Sequence, residues 1–411
     1  MMKKSLSLLI LAILSTSLLA QDEERPRFGS SDQVDNQLAL DELVTHEIFE
    51  LPFLNPYFDF KKGLSEKYGF NFGLDYSTLY FGTNSKMGDK NAGSGIFRIY
   101  GSWDLVGRKS GNTGALVYKV EHRHAYGDMP VSGLGFDAGY VGMLNPAFND
   151  NGFRTTNLYW RQRLGDGRFS FVVGFLDVTD FFDIYALASP WMHFNNFNFS
   201  TGVAAVGLPN DGYLGFAGAA WITDRIYTIF GLADQNSDPT QIFKGFDTFF
   251  NQHEFFTHIE VGYTSAKEYM FLDNIHLSYW HRDEDAETQS GDGWGLVLSG
   301  TKYINETWLP FFRVAYTKDE GSLLQAAISA GLGFQPTPGS HLLGIGLSWG
   351  QVNESTYGDV YDGQYLAEVF YRVQFSSRFA ITPDLQFVIN PALNTEQSSM
   401  FIWGIRGRLA L

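Results

Sequence analysis

Four groups of residues carry side chains suited to chemistry. His253 to His258 reads HEFFTH, one residue longer than the HExxH helix that sets two imidazoles and a general base around zinc, and its alternating aromatics fit a strand. His122 and His124 flank Arg123 at strand spacing, a pair that needs a third convergent ligand before it can hold a metal; a structural role weighs more. Asp177, Asp180 and Asp183 open a long connection and suit turn capping, Ca²⁺ binding or anchoring to arginines better than acid-base catalysis, which requires two carboxylates at a defined separation across a substrate. The fourth group is the largest. Charged, amide and phenolic side chains recur on alternate positions: Arg98, Tyr100 and Asp104; Lys119, Glu121 and Arg123; Asn157, Tyr159, Arg161 and Arg163; Gln364, Glu368 and Arg372; Asp384 and Gln386; Arg406 and Arg408. Such donors and acceptors can replace water around the hydroxyls of a neutral polyol. The plainer reading, that Arg and Glu on neighbouring strands pair and brace a wall, has equal weight for any one residue.

A spacing of two requires strands to position these groups. The last twelve residues, MFIWGIRGRLAL, show what kind: Phe401, Trp403, Ile405, Leu409 and Leu411 share one face, and Arg406 and Arg408 share the other. Apolar outside and charged inside is the pattern of a transmembrane barrel wall. Lys3 and Lys4 before an apolar stretch predict a signal peptide over residues 1–20. Beyond it no run approaches the roughly 20 apolar residues of a membrane helix. Cysteine is absent, which removes disulfide and thiol chemistry. Aromatics at 16% suit interfacial girdles, while charged residues at 18% fall below the ~25% of soluble domains. The net charge of −16, or −18 once the two signal lysines are removed, disfavours nucleic-acid partners.

Alternation predicts sixteen strands, from Phe70 to Phe81 through Met400 to Leu411, joined by connections that are alternately long and short. The expected fold is therefore all-β: a transmembrane antiparallel β-barrel of 16 strands over residues 70–411, with its long third outer loop, Asp177 to Gly212, folded into the lumen as a constriction. Trp191 and Phe194 on that loop are candidates to stack on sugar rings. Residues 21–69 are expected to form a partly helical periplasmic segment.

Across the mature chain, GLDYSTLY (73–80), FRIYGSWDL (97–105), YKVEHRHAYG (118–127), LYWRQRL (158–164), GFLDVTDFFDIYALASPWMHF (174–194) and ITPDLQFVINPALN (381–394) occur in that order. Together they resemble the carbohydrate-selective outer-membrane porins of the OprB type. The resemblance implies passive diffusion of monosaccharides and small oligosaccharides across the outer membrane of a Gram-negative bacterium, with no cofactor. Its implied partners are small sugars, the lipid bilayer and lipopolysaccharide, and the barrel-assembly machinery. KKGLSEKYGF before the first strand, and Leu411 in place of a terminal Phe, depart from the pattern. A general porin is the nearest alternative; an outer-membrane enzyme or adhesin on the same scaffold is more distant.

Overall fold

The computed structural model describes residues 28–44, 48–209, 211–265, 267–268, 270–285 and 290–411; the expected signal peptide lies outside them. Among these residues sixteen strands form one sheet. They are β1 Phe70–Thr83, β2 Asn91–Val106, β3 Gly114–Ala125, β4 Gly152–Leu164, β5 Phe169–Leu176, β6 Tyr213–Trp221, β7 Ile226–Asp234 and β8 Phe255–Thr264. The second half comprises β9 Asn274–Arg282, β10 Gly293–Thr301, β11 Trp308–Asp319, β12 Leu324–Phe334, β13 Leu342–Val352, β14 Gln364–Ser376, β15 Phe379–Ile389 and β16 Ser399–Ala410. Every neighbour in sequence is an antiparallel neighbour in space, and β16 pairs back onto β1 to close the barrel. The seam runs from Asp75 opposite Ala410 to Thr83 opposite Ile402, and the terminal Leu411 exchanges backbone hydrogen bonds with Leu74 at 2.7 and 2.9 Å.

Closure fixes which way each side chain points. On β16, Trp403, Ile405 and Leu409 are exposed on the outer surface, whereas Ile402, Arg406 and Arg408 are buried inside. The same parity holds on β10 and β13, where Leu296, Leu298, Ile345 and Leu347 face out and Val297, Ser299 and Ser348 face in. Exposed aromatics flank the aliphatic belt: Tyr316 and Tyr365 toward the extracellular strand ends, Trp308 and Tyr371 toward the periplasmic ends. This is the placement of interfacial girdles.

The N-terminal segment differs from its expected place outside the barrel. Residues 28–44, which include helix α1 (Val34–Glu42), pack on inward-facing wall side chains. Gln33 caps the helix by accepting from the Asp35 and Asn36 amides at 3.0 and 3.2 Å. The physical reason for the position is charge. Asp35 pairs with Arg161 and Arg163, and Asp41 with Arg408, so the acidic residues of the segment neutralise arginines of the wall. A second helix, α2 (Asn55–Tyr68), stays at the periplasmic rim, where Arg108 donates to the Glu66 carbonyl at 2.9 Å and the Arg378 guanidinium lies 3.7 Å from the Phe58 ring.

Ile405→Arg, on the lipid face, should destabilise the folded barrel by about 2–4 kcal/mol if it sits near the bilayer midplane. Reversible denaturant unfolding from phospholipid vesicles measures this, and an unchanged midpoint would mean that this face does not meet lipid.

Candidate functional site

The inward rows of the wall make hydrogen bonds and ion pairs to two chain segments, residues 28–44 and the third outer loop. The candidate side chains sort into four neighbourhoods. The first joins β16, β1, β2 and α1. Arg98 Nε donates to Asp75 at 2.8 Å, and Arg408 Nε donates to the same carboxylate at 2.9 Å. Arg408 also forks onto both oxygens of Asp41 at 2.7 and 3.0 Å, and Tyr100 donates to Asp41 at 2.7 Å. Trp191 covers this cluster with its ring 3.7 Å from the Arg98 guanidinium.

The second neighbourhood lies on β3 and β4. Arg161 reaches Asp104 at 3.1 Å as well as Asp35, and Asn157 donates to Asp180 at 2.9 Å with Lys119 Nζ 3.9 Å from the same carboxylate. Tyr159 accepts from Gln33 at 3.3 Å. Toward the extracellular end, Arg123 donates to Glu121 at 2.8 Å and pairs with Asp211, which also takes Arg154 at 2.8 Å.

The third neighbourhood ties the loop to the opposite wall. Asp183 pairs with Arg313 and accepts from Ser299 at 2.6 Å, with His276 Nε2 at 3.1 Å. The Asp183 amide donates to Glu260 at 2.7 Å, and Glu260 also accepts from Tyr227 and Ser278, each at 2.9 Å. In the fourth, Glu368 accepts the successive amides of Asn195 and Asn196 at 2.6 and 3.0 Å. Asp384 takes the Asn195 side chain at 2.9 Å and Gln386 takes that of Asn196 at 3.0 Å. Arg406 donates to the Pro190 and His193 carbonyls and to Asn195, each at 2.8 Å. The loop is thus hydrogen-bonded to walls on both sides of the barrel.

Aromatic packing fills the space between these polar ties. Phe194 lies 4.5 Å from Phe199 and 4.9 Å from Phe370 by ring centroids. Its faces are covered by protein, so Phe194 cannot offer a ring to a solute, and one face of Trp191 is taken by Arg98. Glycines on the wall make room: a Cβ on Gly346 of β13 would stand 2.6 Å from the Phe199 ring. Farther out, Gln364 accepts from the Val141 amide at 2.9 Å and donates to the Val141 carbonyl at 3.0 Å, drawing the second outer loop over the barrel mouth.

The three loop aspartates have separate partners. Asp177 caps its turn through Thr179, while Asp180 and Asp183 go to different walls. Among the described residues no three His, Asp or Glu side chains converge as metal ligands. His122 and His124 face outward, with Tyr76 Oη 3.2 Å from His124 Nε2. HEFFTH is split between a turn and β8, with His258 buried against Phe182.

The alternation rule missed Arg154 because β4 is bulged opposite Lys119 and Val120; the extra residue reverses parity. Asp75, Glu260, His276 and Arg313 obey the rule but are absent from the candidate residues named above; the period of two on their strands is the signal that could have found them. Asp35, Asp41 and Asp211 were not legible, since they come from non-strand segments.

A closed barrel with lipid-compatible aliphatics outside and paired charges inside has the architecture of an outer-membrane porin. Residues 304–411 match the model of the carbohydrate-selective porin, OprB family. The structure is similar to the high-pH structure of Pseudomonas putida OprB, with a TM-score of 0.68 and 14% identity over 86% of this chain and 97% of that one. The low-pH structure of the same protein gives a TM-score of 0.52 at 13% identity, covering 86% of this chain and 96% of that one. A loop L8 deletion mutant of Vibrio cholerae OmpT gives 0.51 at 11% identity, covering 83% of this chain and 99% of that one. No curated protein matches by sequence.

Asp183→Ala should leave Arg313 buried without its carboxylate, a loss of about 3–5 kcal/mol. Limited proteolysis followed by mass spectrometry should then find cleavage within the third loop; native-like resistance would show that this pair does not hold it. A pH effect is expected at Asp180. Burial lifts its carboxyl to about 7, opposed by Lys119 and Asn157 and reinforced by Asp177 and Asp32. With a raised folded pKa, the contribution to loop packing is present below the ordinary carboxylate range and is lost as pH rises through about 7. Single-channel current should change between about pH 6 and 8 and lose that change in Asp180→Asn; an identical profile in the variant rules the group out.

Proposed function

We propose that this protein is a passive, carbohydrate-selective porin through which mono- and small oligosaccharides diffuse into the periplasm. The observation that carries the reading is the mixed character of the inward rows. Guanidinium, carboxylate, amide and phenol groups alternate at hydrogen-bonding distance, as in the chain Arg98, Asp75, Arg408, Asp41 and Tyr100. A ring of one charge selects an ion. A surface offering donors and acceptors side by side suits a neutral polyol, whose hydroxyls need both.

The third loop and residues 28–44 narrow the path in this reading, so that a solute exchanges hydration water for wall groups as it passes. Contacts spread over many weak sites let the solute leave as readily as it enters. The protein acts as a channel and performs no covalent step. The bilayer, lipopolysaccharide and the barrel-assembly machinery are its partners on this reading.

Proteoliposomes should swell faster in glucose or a disaccharide than in amino acids of similar size. Equal rates would reduce the protein to a general porin. Neutralising the segment's ties with Asp35→Asn and Asp41→Asn together should raise single-channel conductance and weaken the sugar preference, because both residues hold that segment on wall arginines. Unchanged conductance would place the segment outside the solute path.

A further inference from the structure

A cavity of about 130 Å³ opens between residues 28–44, the third loop and the wall of β14–β16. Its lining is unlike the rest of the interior. Arg372, Arg378 and Arg408 line it, and Asp41 is the one acidic side chain among the lining residues. Both oxygens of Asp41 are already engaged by Arg408 and Tyr100. No carboxylate is left for Arg372.

Arg372 is 8% exposed, and it makes no ion pair among the described residues. Its Nε has no hydrogen-bond partner, and Nη2 reaches only the Ser340 carbonyl, at 3.5 Å. His193, on the loop side of the same cavity and also 8% exposed, has an unpartnered Nδ1. Neighbouring Arg406 meets two carbonyls and an amide oxygen but no carboxylate. Elsewhere Arg98, Arg123, Arg161, Arg313 and Arg408 each hold at least one acid. A buried guanidinium without an anion is costly unless a ligand supplies one.

We propose that this cavity is a binding site for a monosaccharide bearing a carboxylate, such as a uronic or aldonic acid, with Arg372 as the residue that receives the acid. The planar guanidinium matches a carboxylate in bidentate geometry. Thr382 and Gln374 bring polar groups to the same wall for ring hydroxyls, and Trp191 and Met192 give an apolar side for ring C–H groups. The volume holds several waters, and a small solute displacing them would keep polar partners on both sides. The proposal rests on the sugar-porin reading and narrows its substrate class.

The test uses the full-length protein in planar bilayers with glucuronate, glucose, acetate and inorganic phosphate as probes. Glucuronate should interrupt single-channel current at concentrations about tenfold or more below glucose, as one charge-assisted hydrogen bond provides. In Arg372→Gln the glucuronate-to-glucose ratio should fall by about that factor. Equal potency of the two sugars in the native protein overturns the proposal, and so does an unaltered ratio in the variant. Acetate or phosphate acting as strongly as glucuronate overturns it in favour of a simple anion site. Should Arg372→Gln fail to assemble, the native glucuronate-to-glucose comparison decides alone. Absence of any sugar-dependent current or flux in the native protein would instead overturn the porin reading itself.

Discussion

Every feature of this molecule depends on the seam between β1 and β16. In the hydrocarbon region an unpaired backbone amide or carbonyl costs several kcal/mol, so an open sheet edge cannot persist there. Pairing Asp75 through Thr83 with Ala410 through Ile402 removes both edges at once. Closure also fixes parity on all sixteen strands, because shifting any register by one residue would turn arginines into lipid. The lipid seal and the charged interior are therefore two results of one constraint.

Once the charges are inside, they need counter-charges. The third loop and residues 28–44 pack on the inward-facing side chains, so water alone cannot solvate Arg98, Arg313 or Arg408, each 9% exposed or less. Wall carboxylates supply part of the compensation: Asp75 serves Arg98 and Arg408, and Glu121 serves Arg123. Segments outside the sheet supply the rest through Asp35, Asp41, Asp183 and Asp211. Electrostatics thus brings the inner segments to the wall, and aromatic packing around Phe194 and Phe199 fills what remains. Among the described residues Arg372, like Arg406, pairs with no carboxylate, and it lines the cavity.

Much of this was legible along the chain. Alternation gave sixteen strands; the first and last, expected over Phe70 to Phe81 and Met400 to Leu411, span Phe70–Thr83 and Ser399–Ala410. The inward assignments of Lys119, Glu121, Glu368, Asp384, Arg406 and Arg408 hold because a period of two leaves one choice per strand once one face is apolar. The same rule failed at Arg154, where a single bulged residue reversed the face. It was silent on Asp41 and Asp211, since neither lies in a periodic element. Loop aromatics were read as free platforms, but Phe194 found protein partners from β11 and β14, strands more than a hundred residues away.

The barrel, its strand count and the two faces of its wall follow from alternation along the chain, a local property set by how consecutive side chains leave an extended backbone. Which charges neutralise each other, where residues 28–44 lie, and that Arg372 has no acid partner among the described residues came from the three-dimensional arrangement. Those outcomes depend on which distant residues meet across the lumen, and no spacing along the chain encodes the distance between Asp41 and Arg408 or the lack of a carboxylate beside Arg372.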